Sequence, residues 1–305
     1  LGKRNVSTPS KTFLFLYGAQ KSGTTWLSNH LLTTGKIYNA GLKEWRFWPS
    51  YFAGDHEKTK QLKRLERRIQ SCVDRGDIRK SRDFQRRFMM QENPQIFLQT
   101  CAAEVTNSSR YHILADLTPG TGTVLNESQL LRLSTLVQEL GLSPKALFLL
   151  RDPLQRSVFE LSMLVRNGLK ENFEVLNRPG TPEYLRETDH LVETNLARLT
   201  NRSRSDLIIE RARALEASIP FQTILFDELF SQKTMDRTVK FLSLEKIAID
   251  QKPVNHHEPV QLSEDSLRAL ALSLRPIYQY LESYFGDRGF PASWENSLKY
   301  FDGRL

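Results

Sequence analysis

The stretch TFLFLYGAQKSGTTWLSNHLL, residues 12–32, decides the fold. Its first six residues are an unbroken apolar run, too short for a helix and closed by Gly18, which reads as a strand covered on both faces. Thr24 and Thr25 suit a helix N-terminus, and Trp26, Leu27, His30 and Leu31 follow at helical spacing. Between strand and helix, Gly18 and Gly23 frame four residues, so backbone N–H groups can wrap an anion at the helix start. That spacing meets the P-loop pattern only superficially. A P-loop needs a lysine after the second glycine and then a hydroxyl that holds magnesium. Here Thr24 and Thr25 follow Gly23, and the lysine, Lys21, sits inside the loop. A cation in that place suits neutralisation of a leaving phosphate without a metal.

Outward from this unit the pattern alternates. Strands are expected at residues 111–115, 146–150 and 222–226, and helices at 24–32, 127–140, 154–169, 204–217, 235–242 and 263–285. Ser263, followed by Glu264 and Asp265, marks the start of the last helix. Strands separated by helices imply right-handed parallel crossovers, hence an α/β domain with a central parallel β-sheet flanked by helices. No repeat, low-complexity tract or linker divides the chain, so one domain is expected over residues 12–305, after a flexible segment at 1–11.

Composition excludes several classes. With 39% hydrophobic residues over 305 positions a large core can be buried. Two cysteines, Cys72 and Cys101, exclude a disulfide scaffold and a cysteine-rich zinc module. No apolar run approaches the roughly 18 to 20 residues of a membrane span. The opening LGKRNVSTPSK is basic and polar with no apolar stretch behind it, so no signal peptide is read there and a cytoplasmic enzyme is expected. The net charge of +8 is concentrated: residues 58–87 hold twelve Lys and Arg against four Asp and Glu, leaving 31 of each elsewhere. Leu62, Leu65, Ile69, Cys72 and Val73 give that stretch a helical apolar stripe, so a basic helical insertion is expected at about residues 56–90.

Residues 18–27, GAQKSGTTWL, closely resemble the 5′-phosphosulfate-binding loop of sulfotransferases that use 3′-phosphoadenosine 5′-phosphosulfate (PAPS). LFLLRDP, residues 147–153, followed by Arg156, resembles the family's 3′-phosphate-binding strand and turn. KEWRFW, residues 43–48, resembles the Lys-Glu-x-His-Phe-Phe segment of the glycan-type branch and its bacterial relatives. Shorter echoes are Asp116-Leu117-Thr118-Pro119, Phe226-Asp227-Glu228-Leu229 and a C-terminal helix near Trp294. The resemblance implies PAPS as co-substrate, no metal, and a loop in which Gln20, Lys21, Ser22, Gly23, Thr24, Thr25 and Trp26 bind the nucleotide. It carries the 3′-phosphate role to Arg151 and the general-base role to Glu44, with Lys21 as the catalytic cation. On the acceptor side it points to Arg46, Trp48, Asp116 and Thr118. Two positions depart from the pattern. The serine expected eight residues after Arg151 is Phe159, with Ser157 or Ser162 as stand-ins, and the family's histidine is Arg46.

A glutamate of ordinary pKa, about 4.3, is a weak base for an alcohol, so burial beside Trp45 and Trp48 is expected to raise Glu44. Histidines offer another base: His30 and His112 read as core or rim residues, and His256 and His257 lie in a loop able to close over a nucleotide. Adjacent histidines without a third spaced ligand do not make a zinc site. Two rival functions compete with sulfonyl transfer to a hydroxyl or amine. A P-loop nucleotide kinase needs the lysine this loop lacks. Nucleic-acid binding through residues 58–87 needs stacking aromatics, and Phe84 is the only one there. The basic stretch follows directly on residues 43–48, so it is expected to border the acceptor cleft and favour an anionic partner such as a glycan.

Overall fold

The computed structural model describes residues 11–168, 174–250 and 259–301. Five strands, β1 (Thr12–Gly18), β2 (Ile37–Tyr38), β3 (Ile113–Asp116), β4 (Ser143–Leu150) and β5 (Phe221–Leu225), form one parallel sheet in the order β2-β3-β1-β4-β5. The helices are α1 (Thr24–Thr33), α2 (Trp48–Phe52), α3 (Asp55–Asp74), α4 (Ile78–Glu92), α5 (Pro94–Thr106), α6 (Thr121–Val124), α7 (Glu127–Glu139), α8 (Pro153–Gly168), α9 (Pro182–Arg202), α10 (Ser205–Ala214), α11 (Gln232–Phe241), α12 (Glu264–Phe285) and α13 (Glu295–Leu298).

β1 explains its own unbroken apolar sequence. Phe13, Phe15 and Tyr17 face one layer, with Trp45, Trp48 and Phe148, while Leu14 and Leu16 face the other, with Trp26, Leu27 and Leu31. All five strand residues are fully buried, so neither face tolerates a polar alternation. β1 lies between β3 and β4, with β2 and β5 outside them. The chain runs from β1 to the β2/β3 side and then crosses to β4, so the strand order reverses at β1. In an open parallel sheet, the crevice at such a reversal, beyond the strands' carboxyl ends, is where ligands bind. Gly18, Asp116 and Arg151 are brought to that edge together.

The differences from the sequence reading have local causes. The strand expected at 111–115 begins at Ile113, because the His112 N–H is taken by the Lys36 carbonyl at the entry to β2. β4 begins at Ser143, where it pairs with Thr12 although Pro144 and Lys145 interrupt the apolar pattern. β2 has two residues, too few to show a period. α5 and α9 are helices beyond those the sequence pattern predicts. α9 buries only Tyr184, Thr188, Val192 and Leu199 over 21 residues, a sparse stripe. The basic insertion forms two helices, α3 and α4, linked by a turn at residues 75–77. Leu65 and Cys72 of the expected stripe are buried, whereas Val73 is 55% exposed.

Candidate active site

The loop from β1 to α1 holds an unusual backbone. Lys21 has φ 66° and Gly23 φ 81°, so two left-handed residues bend the chain around the helix N-terminus. For lysine this conformation costs about 1–2 kcal/mol and persists only where surroundings enforce it. Arg151 at the end of β4 does so, its NH1 donating to the Lys21 carbonyl at 2.8 Å. Gly23 is required twice over. Besides its φ, a Cβ there would lie 2.3 Å from Leu229 Cδ2. Gly23→Ala is expected to lower stability by about 1–3 kcal/mol, as overpacking does, and to weaken nucleotide binding. Thermal unfolding with and without nucleotide measures both.

Two buried donors in this cradle, Ser22 Oγ and Arg151 Nε, have no hydrogen-bond partner among the described residues. An unsatisfied buried polar group costs about 1–3 kcal/mol, so a site carrying two of them fits an anionic ligand that would accept from both. The Arg151 guanidinium lies between two rings, 4.0 Å from the Phe159 centroid and 4.1 Å from that of Phe226. Burial holds its pKa down to about 10, which still leaves it charged at neutral pH. Phe159, the departure from the family's serine, is thus one wall of the arginine's slot. The two stand-in serines are a correction: Ser157 Oγ bonds the Pro153 carbonyl and Ser203 Oγ, and Ser162 Oγ bonds the Val158 carbonyl and the Val260 N–H. Both are buried and committed to the core. The Asp of the RDP turn caps α8, accepting from Leu154 and Gln155 N–H and from Tyr278 OH.

The Lys21 ammonium is lowered below its ordinary pKa by burial and then by Arg166, with Glu160 and Glu44 pulling the other way. Lys21 and Glu44 therefore share one electrostatic environment. A link also runs through Lys43, whose Nζ donates to Thr25 Oγ1 at 2.9 Å and to Glu44 Oε1 at 3.3 Å. Arg46 grips the other carboxylate oxygen with Nε at 2.9 Å and NH2 at 2.6 Å. This overturns the expected raised pKa. Burial pushes Glu44 up, but Arg46 and Lys43 outweigh it and hold the carboxyl below the usual glutamate range. The Trp45 and Trp48 rings, both buried, pack into the core instead of over the carboxylate.

Three acceptor-side assignments are corrected as well. Asp116 is fully buried and accepts from Trp45 N–H (3.1 Å), Trp48 Nε1 (3.0 Å), and both Thr118 N–H (3.0 Å) and Oγ1 (2.5 Å). Burial raises its pKa to about 6 against these four donors. Thr118 Oγ1 in turn accepts from Arg46 N–H. Asp116, Trp48 and Thr118 thus clamp residues 45–48 to the end of β3 and position Glu44. Trp26 is buried too, its ring 4.0 Å from His30 and its Nε1 on the Asp250 carbonyl. His30 uses Nδ1 on the Trp26 carbonyl and Nε2 on Asp250 N–H, so neither nitrogen serves as a base. His112 is half-buried at the amino-terminal end of β3, opposite the loop's edge. His256 and His257 lie outside the described residues, as do residues 1–10 of the N-terminal segment.

Sequence reasoning missed a buried ionic knot behind the loop. Glu160, 1% exposed, is met by Arg156 at 2.8 Å, Arg202 at 2.7 Å and Arg198 at 3.4 Å. Arg202 also reaches Gln20 Oε1 at 3.3 Å. The i,i+4 pair Arg156 and Glu160 was visible in sequence, but α9's arginines join it only through the fold.

No protein-family profile matches the chain, and no curated protein does. Among solved structures it is similar to a sulfotransferase from Alicyclobacillus acidocaldarius, over 94% of this chain and 99% of that one, with a TM-score of 0.51 and 16% identity. The two chains share a fold. At that identity the likeness concerns architecture, and the chemistry must be argued from the residues above.

Proposed function

We propose that this chain is a sulfotransferase that moves the sulfonyl group of PAPS to a hydroxyl, or an amine, of an acceptor. The observation that carries the reading is the joined cradle at the strand-order reversal. Arg151 holds the Lys21 turn by one nitrogen, while its Nε and Ser22 Oγ remain buried and unpaired beside it. A nucleotide with phosphates at both ends of its ribose needs two anion-binding points, and Ser22 in the loop and Arg151 at the end of β4 offer one each. The fold shared with a solved sulfotransferase supports it.

PAPS supplies a sulfonyl group activated as a mixed anhydride with phosphate. The loop amides with Ser22, Thr24 and Thr25 hold the 5′-phosphate, and Arg151 holds the 3′-phosphate. Lys21 places its charge on the bridging oxygen, which takes the electron pair as its bond to sulfur breaks. Glu44 accepts the acceptor's proton as the new oxygen–sulfur bond forms. Lys43, bonded to both Thr25 and Glu44, fixes the base relative to the loop. Lys21 supplies the charge that magnesium supplies in a P-loop enzyme, so chelator should leave the rate unchanged. Incubation with 35S-labelled PAPS, EDTA and an acceptor panel tests this. Release of 3′-phosphoadenosine 5′-phosphate (PAP) with label moved to an acceptor or to water is expected. ATP turnover strictly dependent on magnesium, with no use of PAPS, would replace the reading by a kinase.

The pH profile carries a separate prediction. Because Arg46 and Lys43 hold Glu44 low, the acidic limb of kcat/KM should fall below the ordinary glutamate value of about 4.3. Arg46→Ala removes two charge-assisted hydrogen bonds and a cation, so Glu44's pKa rises and the limb moves to higher pH. A limb that does not move would remove Glu44 from the role of base.

A further inference from the structure

The basic helical insertion has a defined relation to the base. A cavity of 730 Å3 lies between residues 41–44 on one side and α4 on the other, with Lys43 and Glu44 on the first wall and Arg79, Arg82, Arg86 and Arg87 on the second. Its volume is in the range of small-molecule sites. Asp83 also lines it, so five cations face two carboxylates. Two of the arginines serve as scaffold: Arg86 NH1 donates to the Gly41 carbonyl at 2.9 Å and Arg87 Nε to the Glu44 carbonyl at 3.1 Å. They tie the insertion to the base-bearing segment without cancelling charge. Arg79 and Arg82 are different. Both are exposed, stand three residues apart on one face of α4, and make no hydrogen bond, ion pair or ring contact among the described residues.

We propose that this cavity is the acceptor site, and that Arg79 and Arg82 select an acceptor carrying an anionic group, a carboxylate, sulfate or phosphate, on a molecule of mono- or disaccharide size. This rests on the sulfotransferase reading for the role of Glu44. A guanidinium fork matches each of those anions in a bidentate way, and two unengaged forks beside the base would set the distance from anion to reacting hydroxyl. Nucleic acid is the poorer occupant. The stretch's one aromatic, Phe84, is covered by Arg68 and Arg87, whose guanidinium carbons lie 5.4 and 5.8 Å from its centroid, so no stacking platform faces the cavity.

Calorimetric titration of the full chain, with PAP at saturation, uses three probes: sucrose octasulfate, digalacturonic acid and neutral sucrose. The wild type should bind at least one anionic probe and not sucrose. The double variant Arg79→Ala/Arg82→Ala should bind it at least tenfold more weakly, with unchanged circular dichroism and PAP affinity. Lys63→Ala/Arg67→Ala removes the same charge from α3 outside the cavity and should bind within about twofold of wild type. Preference for the sulfated or the carboxylated probe identifies the anion. Binding of neither, or equal loss in both double variants, overturns the proposal. PAP affinity reports independently on the nucleotide reading. A chain that ignores PAP yet shows probe binding dependent on Arg79 and Arg82 would remove that reading and leave the anion site.

Discussion

Lys21→Ala is expected to lower sulfonyl transfer by roughly two to three orders of magnitude, the cost of removing one preorganised electrostatic contact to a developing charge. The melting temperature should stay near that of the wild type. Lys21 is half-buried, its left-handed backbone is held through its carbonyl by Arg151, and its side chain makes no hydrogen bond or ion pair among the described residues, so deletion relieves desolvation and breaks no polar contact. The loss should fall on kcat more than on KM, because the bridging oxygen gains its charge only as the bond to sulfur breaks. Single-turnover release of PAP separates the two, and near-normal turnover would sink the assignment.

Arg151→Ala should act on both affinity and fold. The side chain fills the slot between Phe159 and Phe226 and is the donor to the Lys21 carbonyl. Truncation leaves two rings facing a void and frees the loop, which should cost about 2–4 kcal/mol of stability. Removing one partner of a buried charged hydrogen bond costs about 2–5 kcal/mol in binding, so PAP affinity should fall roughly 30-fold or more. Arg151→Lys should recover little of either, because a single ammonium cannot fill the slot and reach the carbonyl as well. Full recovery by lysine would show that charge alone matters there.

Much of this was legible in the chain. The unbroken apolar run at 12–17 could only be a strand buried on both faces, and the two glycines with Lys21 between them mark the tight turn into α1. The motif residues Lys21, Glu44 and Arg151 do converge on one edge of the sheet, because parallel strands bring all their carboxyl ends to the same side. Burial was the part sequence could not decide. Asp116 and Trp48 look like acceptor contacts because they sit in segments that resemble the family's, yet each satisfies the other's polar atoms inside the core. Glu44 stands near two tryptophans in sequence, but both rings turn into the core, so its neighbours in space are Lys43 and Arg46. Phe159 read as a missing serine until the arginine slot gave it a use. The unpartnered arginines of α4 were visible only as surplus charge until the cavity placed them opposite Glu44.

The most direct measurement is calorimetry of the wild-type chain with PAP and with ADP, each with and without magnesium. The two nucleotides differ in whether the second phosphate sits on the 3′ oxygen, where Arg151 would hold it, or extends the 5′ chain. One PAP per chain, bound without metal and at least tenfold more tightly than ADP, is the expected result. Failure to bind PAP, or tighter binding of ADP that requires magnesium, would contradict sulfonyl transfer at this site.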